Sequence, residues 1–201
     1  MSNMTLGSLF DGSGGFPLGG MLAGITPVWA SEIEPFPIRV TTKRLPFMKH
    51  YGNVSEMDGG KVEPVDIITF GSPCQDLSIA GKRNGLDGAR SGLFREAIRI
   101  ITEMRCKTNG RSPRWAVWEN VPGALSSANG RDFREVLESL IRIKDPAADV
   151  PLPESGRWLQ NPHTDSAEFK AYGNSVAVPC VFFVLAGIVW AMEEGEQNEN
   201  D

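Results

Sequence analysis

The stretch SLFDGSGGFPLGGMLAGI, Ser8–Ile25, sets the fold class of this chain. The apolar run Thr5–Phe10 predicts a strand, and the segment Phe16–Ala23 predicts a helix. Between them, Gly12 and Gly14 permit a sharp turn and a close approach to a ligand, which a Cβ atom would prevent. A helix that begins directly after such a turn presents free backbone N–H groups to a polar ligand. The stretch therefore predicts the first strand, turn and helix of an α/β domain.

Apolar runs and helix-like segments continue to alternate along the chain, which is typical of a mostly parallel sheet flanked by helices. Further strands are predicted at Thr26–Ser31, Val65–Phe70 and Trp115–Trp118, and further helices at Pro35–Leu45, Gly92–Arg105, Arg131–Ile143 and Val176–Glu194. Because the strands are almost continuously apolar, we expect them to be buried on both faces. The residues expected on the inner face of the fourth helix are Phe133, Val136, Leu137, Leu140 and Ile141.

Composition narrows the class of protein. With 201 residues, 41% of them hydrophobic, the chain can form one globular domain with a sizeable core. Its net charge of −5 lacks the basic surplus that is usual in nucleic-acid-binding domains. Three widely spaced cysteines without a CxxC pair favour a reducing cytoplasm and argue against disulfides and against a thiolate metal site. The apolar segment Val176–Met192 has 17 residues, fewer than the roughly 20 that are needed to cross a bilayer. We therefore expect a buried helix here and no association with a membrane.

An acidic residue follows the glycine turn at a meaningful distance. Glu32 stands twenty residues after Gly12, at the end of the second predicted strand, where a carboxylate can accept both hydroxyls of a ribose. This pair indicates an adenosine-type cofactor, although a purely structural turn with an ordinary acid explains it equally well. A nicotinamide dinucleotide is disfavoured because Pro17 occupies the position of the third glycine of that fingerprint.

Two reactive side chains stand at the ends of predicted strands. Cys74 follows the strand Val65–Phe70 in GSPCQDLSIAGKR, at the start of a glycine-punctuated, locally basic loop. Glu119 follows the strand Trp115–Trp118, and partial shielding by tryptophans should raise its pKa. Because open α/β sheets bind ligands at the carboxyl ends of their strands, we expect Cys74 and Glu119 to share a site.

The sequence blocks that carry these residues resemble those of a known family. The blocks are LFDGSGG, SEIE, GSPCQDLSIAGKRNGLDGARSGLF, WENV and YGNSVAVP. Their order and spacing are similar to those of DNA cytosine-5 methyltransferases of the bacterial or phage type, including those of restriction-modification systems. The resemblance implies a Rossmann-like methyltransferase fold that uses S-adenosyl-L-methionine and acts on double-stranded DNA.

The resemblance also implies a role for each matching residue. Cys74 would attack C6 of a cytosine that is flipped out of the helix, and Glu119 would hold or protonate N3 of the ring. Arg90 would help to anchor the closed loop on DNA. The positions that match the cofactor pocket are Phe10, Gly12, Gly14, Glu32, Ile33, Asn53, Pro73, Asn174, Ser175 and Val176. Asn53 departs from the aspartate that is frequent at its position.

Two parts of the family pattern have no counterpart in this sequence. The QxRxR block and the target-recognition region should lie between Lys144 and Ala171, where only an irregular, proline-rich connector is found. Strands six and seven of the usual sheet also lack candidates, so the strand Trp115–Trp118 should form an apolar edge that needs cover. We expect a catalytic and cofactor-binding domain at 1–143, a connector at 144–171, a helix at 172–194 that completes the domain, and an acidic tail at 195–201. A partner chain that supplies target recognition, or a catalytically silent cofactor-binding subunit, is compatible with this pattern.

Overall fold

A five-stranded, fully parallel sheet forms the centre of the described molecule. The computed structural model describes residues 4–71, 91–120, 122–125, 127–154, 158 and 178–198. The strands are β1 (Thr5–Leu9), β2 (Thr26–Ser31), β3 (Lys49–His50), β4 (Ile67–Phe70) and β5 (Trp115–Trp118). The helices are α1 (Gly15–Leu22), α2 (Pro35–Arg44), α3 (Ser91–Lys107), α4 (Arg131–Ile141) and α5 (Val178–Asn198). Short 3-10 turns lie at Val54–Glu56, Pro122–Leu125 and Ser127–Gly130. The predicted α/β class with a parallel sheet is confirmed.

Two elements differ from the sequence-based expectation. The strand β3 was not predicted, because two residues are too short to show an alternating pattern. The helix α5 extends to Asn198, beyond the predicted end at Glu194 and into the segment expected to be an acidic tail. Its first two predicted residues, 176 and 177, lie outside the described residues.

The spatial order of the strands is β3-β2-β1-β4-β5. From β1 the chain therefore builds the sheet first to one side, through β2 and β3, and then to the other side, through β4 and β5. In open parallel sheets, ligands bind at the carboxyl ends of the strands, at the point where the chain changes from one side of the sheet to the other. The register pairs Leu9 with Phe70, and Phe70 with Trp118. The residues that directly follow β1, β4 and β5 therefore emerge side by side at one edge of the sheet.

Helices α3 and α4 cover one face of the sheet, which we name the α3/α4 face. Its largest buried side chains include Leu9, Trp29, Ile68, Phe70, Phe94, Ile100, Met104 and Val136. A row of aromatic rings runs outward through this core from Phe70 by way of Phe94, Trp118 and Phe133 to Trp158. The indole N–H of Trp158 donates to the carbonyl of Gly130 at 2.8 Å. One residue of the predicted irregular connector is thus packed against the domain.

Helices α1 and α5 cover the opposite face, which we name the α1/α5 face. There Leu6 and Ile67 of the sheet are buried against Phe16, Val181 and Leu185. The two helices approach very closely, since an ideal Cβ atom on Gly19 would lie only 2.4 Å from Cγ1 of Val181. Glycine at this position is therefore a requirement of helix packing.

The edge strand β5 and the end of α4 are more exposed than expected. Trp115 and Ala116 are exposed, while Val117 and Trp118 are half-buried, so β5 is not buried on both faces as predicted. The reason is its position, because β5 is the last strand of the sheet in the described part of the chain. Ile141, expected on the inner face of α4, is 45% exposed at the last turn of that helix.

Candidate functional site

A cavity of about 310 Å³ lies at the carboxyl ends of β1, β2 and β4. Its lining residues are Phe10, Ser31, Glu32, Ile33, Glu34, Asn53, Val54, Gly71 and Leu93. Four residues that the sequence assigned to cofactor binding are therefore brought together. Gly71, the last described residue before the segment with Cys74, also belongs to the wall.

The glycine turn between β1 and α1 adopts unusual backbone conformations. Phe10, Gly12 and Gly14 all have positive φ angles, of 54°, 56° and 87°. A positive φ is rare for a bulky residue such as Phe10, and backbone strain of this kind is common at functional sites. A Cβ atom on Gly12 would meet nothing within 4 Å among the described residues, whereas one on Gly14 would lie 2.9 Å from Cγ2 of Thr41. Gly12 leaves open space at the turn, and Gly14 serves the packing of α2.

Glu32 connects the glycine turn to the second strand. Its Oε2 accepts the Gly12 N–H at 2.8 Å, and its Oε1 accepts the backbone N–H groups of Ile33 and Glu34 at 2.7 and 2.9 Å. A carboxylate offers about four acceptor positions. These three bonds hold Glu32 in place at the cavity wall and leave it room for roughly one further donor.

The opposite wall is held by an arginine of α3 that the sequence analysis does not single out. Arg99 donates to the carbonyls of Val54 and Met57, at 3.1 and 2.8 Å, and is paired with Glu96 and Glu103. Asn53 begins this segment, and its Oδ1 accepts the Ser55 N–H at 3.0 Å. The second lone pair of that oxygen is the one that could meet an amino group.

The rim of the cavity is apolar. Ile33 is 64% exposed there, directly after Glu32. An isoleucine exposed to this degree at a cavity rim suits packing against a flat ring. Leu93 of α3 lies across the cavity and is half-buried.

Glu119 follows β5 and reaches the same edge of the sheet. Its N–H donates to the Phe70 carbonyl at 2.9 Å, and its Oε2 would lie 2.8 Å from a Cβ atom on Gly71. Although the residue as a whole is exposed, its carboxyl group is partly buried over Gly71, and this burial raises its pKa above the ordinary value. The predicted direction of the shift is confirmed. Glu119 is thus adjacent to the cavity wall.

Asp11 is a residue that the sequence analysis missed. It stands inside the glycine turn and is only 5% exposed, and neither carboxyl oxygen has a hydrogen-bond partner in the described part of the protein. Burial raises the pKa of Asp11 to about 7. The neighbouring Ser8 hydroxyl opposes this rise, although its oxygen is not in hydrogen-bonding geometry, and the negative charge of Glu32 adds to the rise. The position of Asp11, a charged residue between a buried strand and a helix, was the sequence signal that could have identified it. Asp11 does not line the cavity but lies behind the turn, with its Oδ2 about 4.0 Å from a Cβ atom on Gly14.

Six residues assigned to the site from the sequence lie outside the described residues: Pro73, Cys74, Arg90, Asn174, Ser175 and Val176. The expected meeting of the Cys74 sulfur with the Glu119 carboxyl therefore stays a prediction. What is described is the frame for it, because Gly71 lies three residues before Cys74 and touches Glu119.

Metal and membrane sites were searched within the same residues. No cluster of three histidine, cysteine, aspartate or glutamate side chains in the described ranges could hold a metal ion. None of the described helices, α5 included, combines the length and apolarity that a membrane crossing needs.

Comparison with known proteins agrees with this geometry. The family described as C-5 cytosine-specific DNA methylase matches residues 4–144, which include β1 to β5 and α1 to α4. The chain belongs to this family. The match extends over the glycine turn, Glu32, the segment with Cys74, and Glu119.

Individual relatives carry mixed names. The chain is 34% identical over 163 residues to a protein of Escherichia phage P1 named DNA N-6-adenine-methyltransferase, covering 78% of this chain and 22% of that protein. It is 35% identical over 128 residues to Type II methyltransferase M2.BsuMI of Bacillus subtilis, covering 64% of this chain and 32% of that one. A solved structure described as a DNA modification methyltransferase of an E. coli prophage has a TM-score of 0.53 at 24% identity, over 69% of this chain and 38% of that one. This likeness confirms the methyltransferase fold, and the chain spans about a fifth to a third of the curated relatives' length.

Proposed function

We propose that this chain is the catalytic part of a DNA cytosine-5 methyltransferase that transfers a methyl group from S-adenosyl-L-methionine. The observation that carries the proposal is the position of Glu119, whose carboxyl lies against Gly71 at the wall of the cavity that also contains Glu32. A proton donor for a substrate ring and a candidate cofactor acid are thus held at one edge of one rigid sheet. The family match supports the same reaction.

The choice of cytosine C5 over an amino group rests on the chemistry of the thiol. The exocyclic amine of adenine can attack a methyl donor directly, whereas C5 of cytosine becomes a nucleophile only after another group adds to C6. In the sequence, Cys74 follows by four residues the end of the strand β4, which ends at the cavity, and it is the candidate for this nucleophile. The phage relative with the adenine name shares only 22% of its length with this chain.

The described cavity fits an adenosine-type cofactor. Its volume, about 310 Å³, lies at the lower end of the usual range for small-molecule sites. Glu32 would accept a ribose hydroxyl, Ile33 would pack on the adenine, and Asn53 would face its polar edge. The open space at Gly12 suits a close backbone approach. When bound, S-adenosyl-L-methionine supplies an electrophilic methyl group on a sulfonium sulfur.

The residues of the chain then have defined tasks. The Cys74 thiolate forms a bond to C6 of the flipped cytosine, while Glu119 gives a proton to N3, so that the electrons of the C5–C6 double bond become available at C5. Once C5 has taken the methyl group and S-adenosyl-L-homocysteine has been released as the leaving group, C5 loses its proton to a base and the Cys74 sulfur leaves C6 with its bonding electrons. The N3 proton returns to Glu119, and the C5–C6 double bond is restored. The raised pKa of Glu119 serves this role because it keeps the acid protonated closer to neutrality.

A catalytically silent, cofactor-binding subunit is the second candidate. It is favoured by the segment between Lys144 and Ala171, where the QxRxR block and the target-recognition region that the resemblance implies have no counterpart in the sequence. It is also favoured by the net charge of −5, which provides little attraction for DNA. In this case a partner chain would supply target recognition and the remaining DNA contacts.

Covalent trapping tests the enzyme proposal. In double-stranded DNA with 5-fluorocytosine, C5 of the target base carries fluorine in place of hydrogen, so no proton can be lost from it. The adduct with Cys74 should therefore accumulate when S-adenosyl-L-methionine is present. We expect a protein–DNA band that survives denaturation and disappears in Cys74→Ser. The matched control is Cys106→Ser, which changes an exposed thiol on α3 and should retain the band. Cofactor binding without any adduct, at every DNA concentration, would leave the silent subunit as the better account.

The role of Glu119 has its own test. In Glu119→Gln, methyl transfer to DNA should be nearly abolished, because the amide cannot protonate N3. The affinity for S-adenosyl-L-homocysteine, measured by calorimetric titration, should stay within about threefold, since Glu119 lies beside the cofactor cavity and not among its lining residues. Glu135→Gln, on the exposed side of α4, is the control. An equal loss of both properties would show that Glu119 is structural.

A further inference from the structure

The outward surface of the α1/α5 layer is apolar, although the solvent-facing side of a helix in an α/β domain is normally polar. We give the name apolar helix surface to six of the large exposed side chains of these helices: Leu18, Met21 and Leu22 of α1, and Phe182, Phe183 and Trp190 of α5. Phe183 is 80% exposed and Trp190 is 63% exposed. The two helices are in close contact, so their outward sides form neighbouring parts of one layer.

The residues on α5 form an ordered stripe. Phe183 and Trp190 are seven residues apart, which is about two helical turns, so they project on the same side of α5. Ala186 and Gly187 lie between them. An ideal Cβ atom on Gly187 would meet nothing within 4 Å in the described molecule. The stripe therefore consists of two large rings with a shallow gap between them.

The size of this surface exceeds what a monomer usually exposes. At roughly 200 Å² for each side chain, the exposed fractions of the six residues amount to about 700 Å². The largest apolar patch of a typical monomer is about 300–600 Å², and a stable interface buries about 800 Å² on each partner. One copy of this surface thus provides most of what one side of a stable dimer needs.

We propose that the apolar helix surface binds a second copy of this chain, with the two α5 helices packed antiparallel about a two-fold axis near Gly187. Ala186 and Gly187 lie midway between Phe183 and Trp190. A two-fold axis at that point places Phe183 of each copy on Trp190 of the other, and the small residues allow the helices to approach closely. An isologous interface requires this kind of self-complementarity.

The charges at the ends of α5 favour the same antiparallel arrangement. With the axis midway between residues 186 and 187, Glu193 lies opposite residue 180 of the second copy, in the first turn of its α5. The first turn of a helix carries a partial positive charge and attracts acidic side chains. A parallel arrangement would instead place the Glu193 residues of the two copies side by side.

The test is the mass of the complete chain in solution, measured by sedimentation equilibrium from about 1 to about 100 µM. A dimer of 21.9 kDa subunits should form within this range. Trp190→Glu should be a monomer throughout. A Cβ atom at position 187 would meet nothing within 4 Å among the described residues of one copy, and leucine is a better helix former than glycine. Gly187→Leu should nevertheless weaken the dimer at least about tenfold, because it fills the gap at the axis.

The matched control is Phe47→Glu, which places the same charge on a side chain that is 58% exposed between α2 and β3, away from this surface. It should dimerise like the unchanged protein, and circular dichroism should show that all variants are folded. A chain that is monomeric at every concentration overturns the proposal and would leave the surface to a different protein. A dimer that tolerates both Trp190→Glu and Gly187→Leu overturns it too, because its interface must then lie elsewhere.

Discussion

The two faces of the sheet are packed in different ways. On the α3/α4 face, the helices bury one apolar side and expose a charged side, where Arg99 and Arg134 form ion pairs with acids one turn away. On the α1/α5 face, Gly19 allows two largely apolar helices to interlock, and their outer side stays apolar. The difference teaches that amphipathic spacing identifies a helix that faces water, whereas a helix that faces a further partner lacks this signal.

Buried acids follow the same division. Glu138 of α4 is 8% exposed and is paired with Arg134 and Arg142, and these partners lower its pKa. Asp11, at the start of α1, is equally buried and has no cation among its described neighbours to offset the cost, so its pKa rises instead. Among the described residues, the carboxyl of Asp11 is thus buried without compensation at the turn that borders the candidate site, where strain and altered protonation are common.

The largest loss of stability is expected from breaking the interlock on the α1/α5 face. Gly19→Val would drive a branched side chain into Val181, whose Cγ1 lies 2.4 Å from the Cβ position, and into the Phe182 backbone N at 3.3 Å. The free energy of unfolding should fall by about 3 kcal/mol, the upper part of the range for overpacked cores. Urea denaturation measures this change.

A glycine on the other face provides the control. A Cβ atom on Gly92, in the first turn of α3, would meet nothing within 4 Å among the residues described. Gly92→Ala should therefore be neutral or stabilise by up to about 1 kcal/mol, because alanine is the better helix former. Equal destabilisation by both changes would mean that the close contact of α1 with α5 is not what requires Gly19.

The next effect concerns the uncompensated acid. The pKa of Asp11 is about 7 in the folded protein and 3.8 ordinarily, so between these values the folded state keeps a proton that the unfolded state has released. The free energy of unfolding should therefore fall as the pH rises from about 4 to 7, and it should level off above 7. Asp11→Asn should match the unchanged protein near pH 4 and exceed it by up to about 4 kcal/mol at pH 8, because each unit of the rise in pKa corresponds to about 1.4 kcal/mol.

The paired acid supplies the contrast for this measurement. Glu138→Gln loses its attraction to Arg134 and Arg142, so it should destabilise the protein at pH 8, and this loss should shrink as the pH falls below 4.5 towards the lowered pKa of Glu138. Denaturation midpoints at several pH values compare the two variants. If Asp11→Asn gave no gain at pH 8, the carboxyl would have a cation partner after all.

A smaller effect is expected from the ion pairs of the α3/α4 face. Arg99→Met keeps the apolar stem but removes the bonds to the carbonyls of Val54 and Met57, so the unfolding free energy should fall by about 1–2 kcal/mol. Hydrogen exchange of the Glu56 and Met57 amides, which close the 3-10 turn, should become faster. Arg95→Met is the control, because Arg95 is mostly exposed and lies 4.0 Å from Glu135. Similar losses in both would indicate a general charge effect.

Much of the fold could be predicted from local patterns, and the failures have physical causes. The strands β1, β2, β4 and β5 are found where apolar runs predicted them, because burial in a parallel sheet demands continuous apolar sequence. The strand β3 was missed because the strand conformation of its two residues depends on their pairing with Trp29 and Ala30 of β2, and not on a pattern in their own sequence. Exposure of Trp115 depends on whether another strand lies beside β5, which no local pattern records.

The candidate site divides in the same way. The location of Gly12 and Glu32 at one site and the raised pKa of Glu119 were predicted, because a strand end fixes where its next residue emerges, whereas the hydrogen bond between Gly12 and Glu32 was not. Asp11 and the support that Arg99 gives to the cavity wall were not predicted. Both depend on neighbours more than 20 residues away along the chain, which are brought close only by the packed fold.

By itself, the sequence determined the class of fold, the edge of the sheet at which the cavity lies, and the family, because each depends on residue types at short or fixed spacing. Only the tertiary structure decided which helix layer has a charged outer surface and which has an outer surface with exposed aromatic rings. It also decided which buried acid finds a cation. These properties depend on the distances between elements that are remote in sequence, and burial free energy and electrostatic attraction act across those distances.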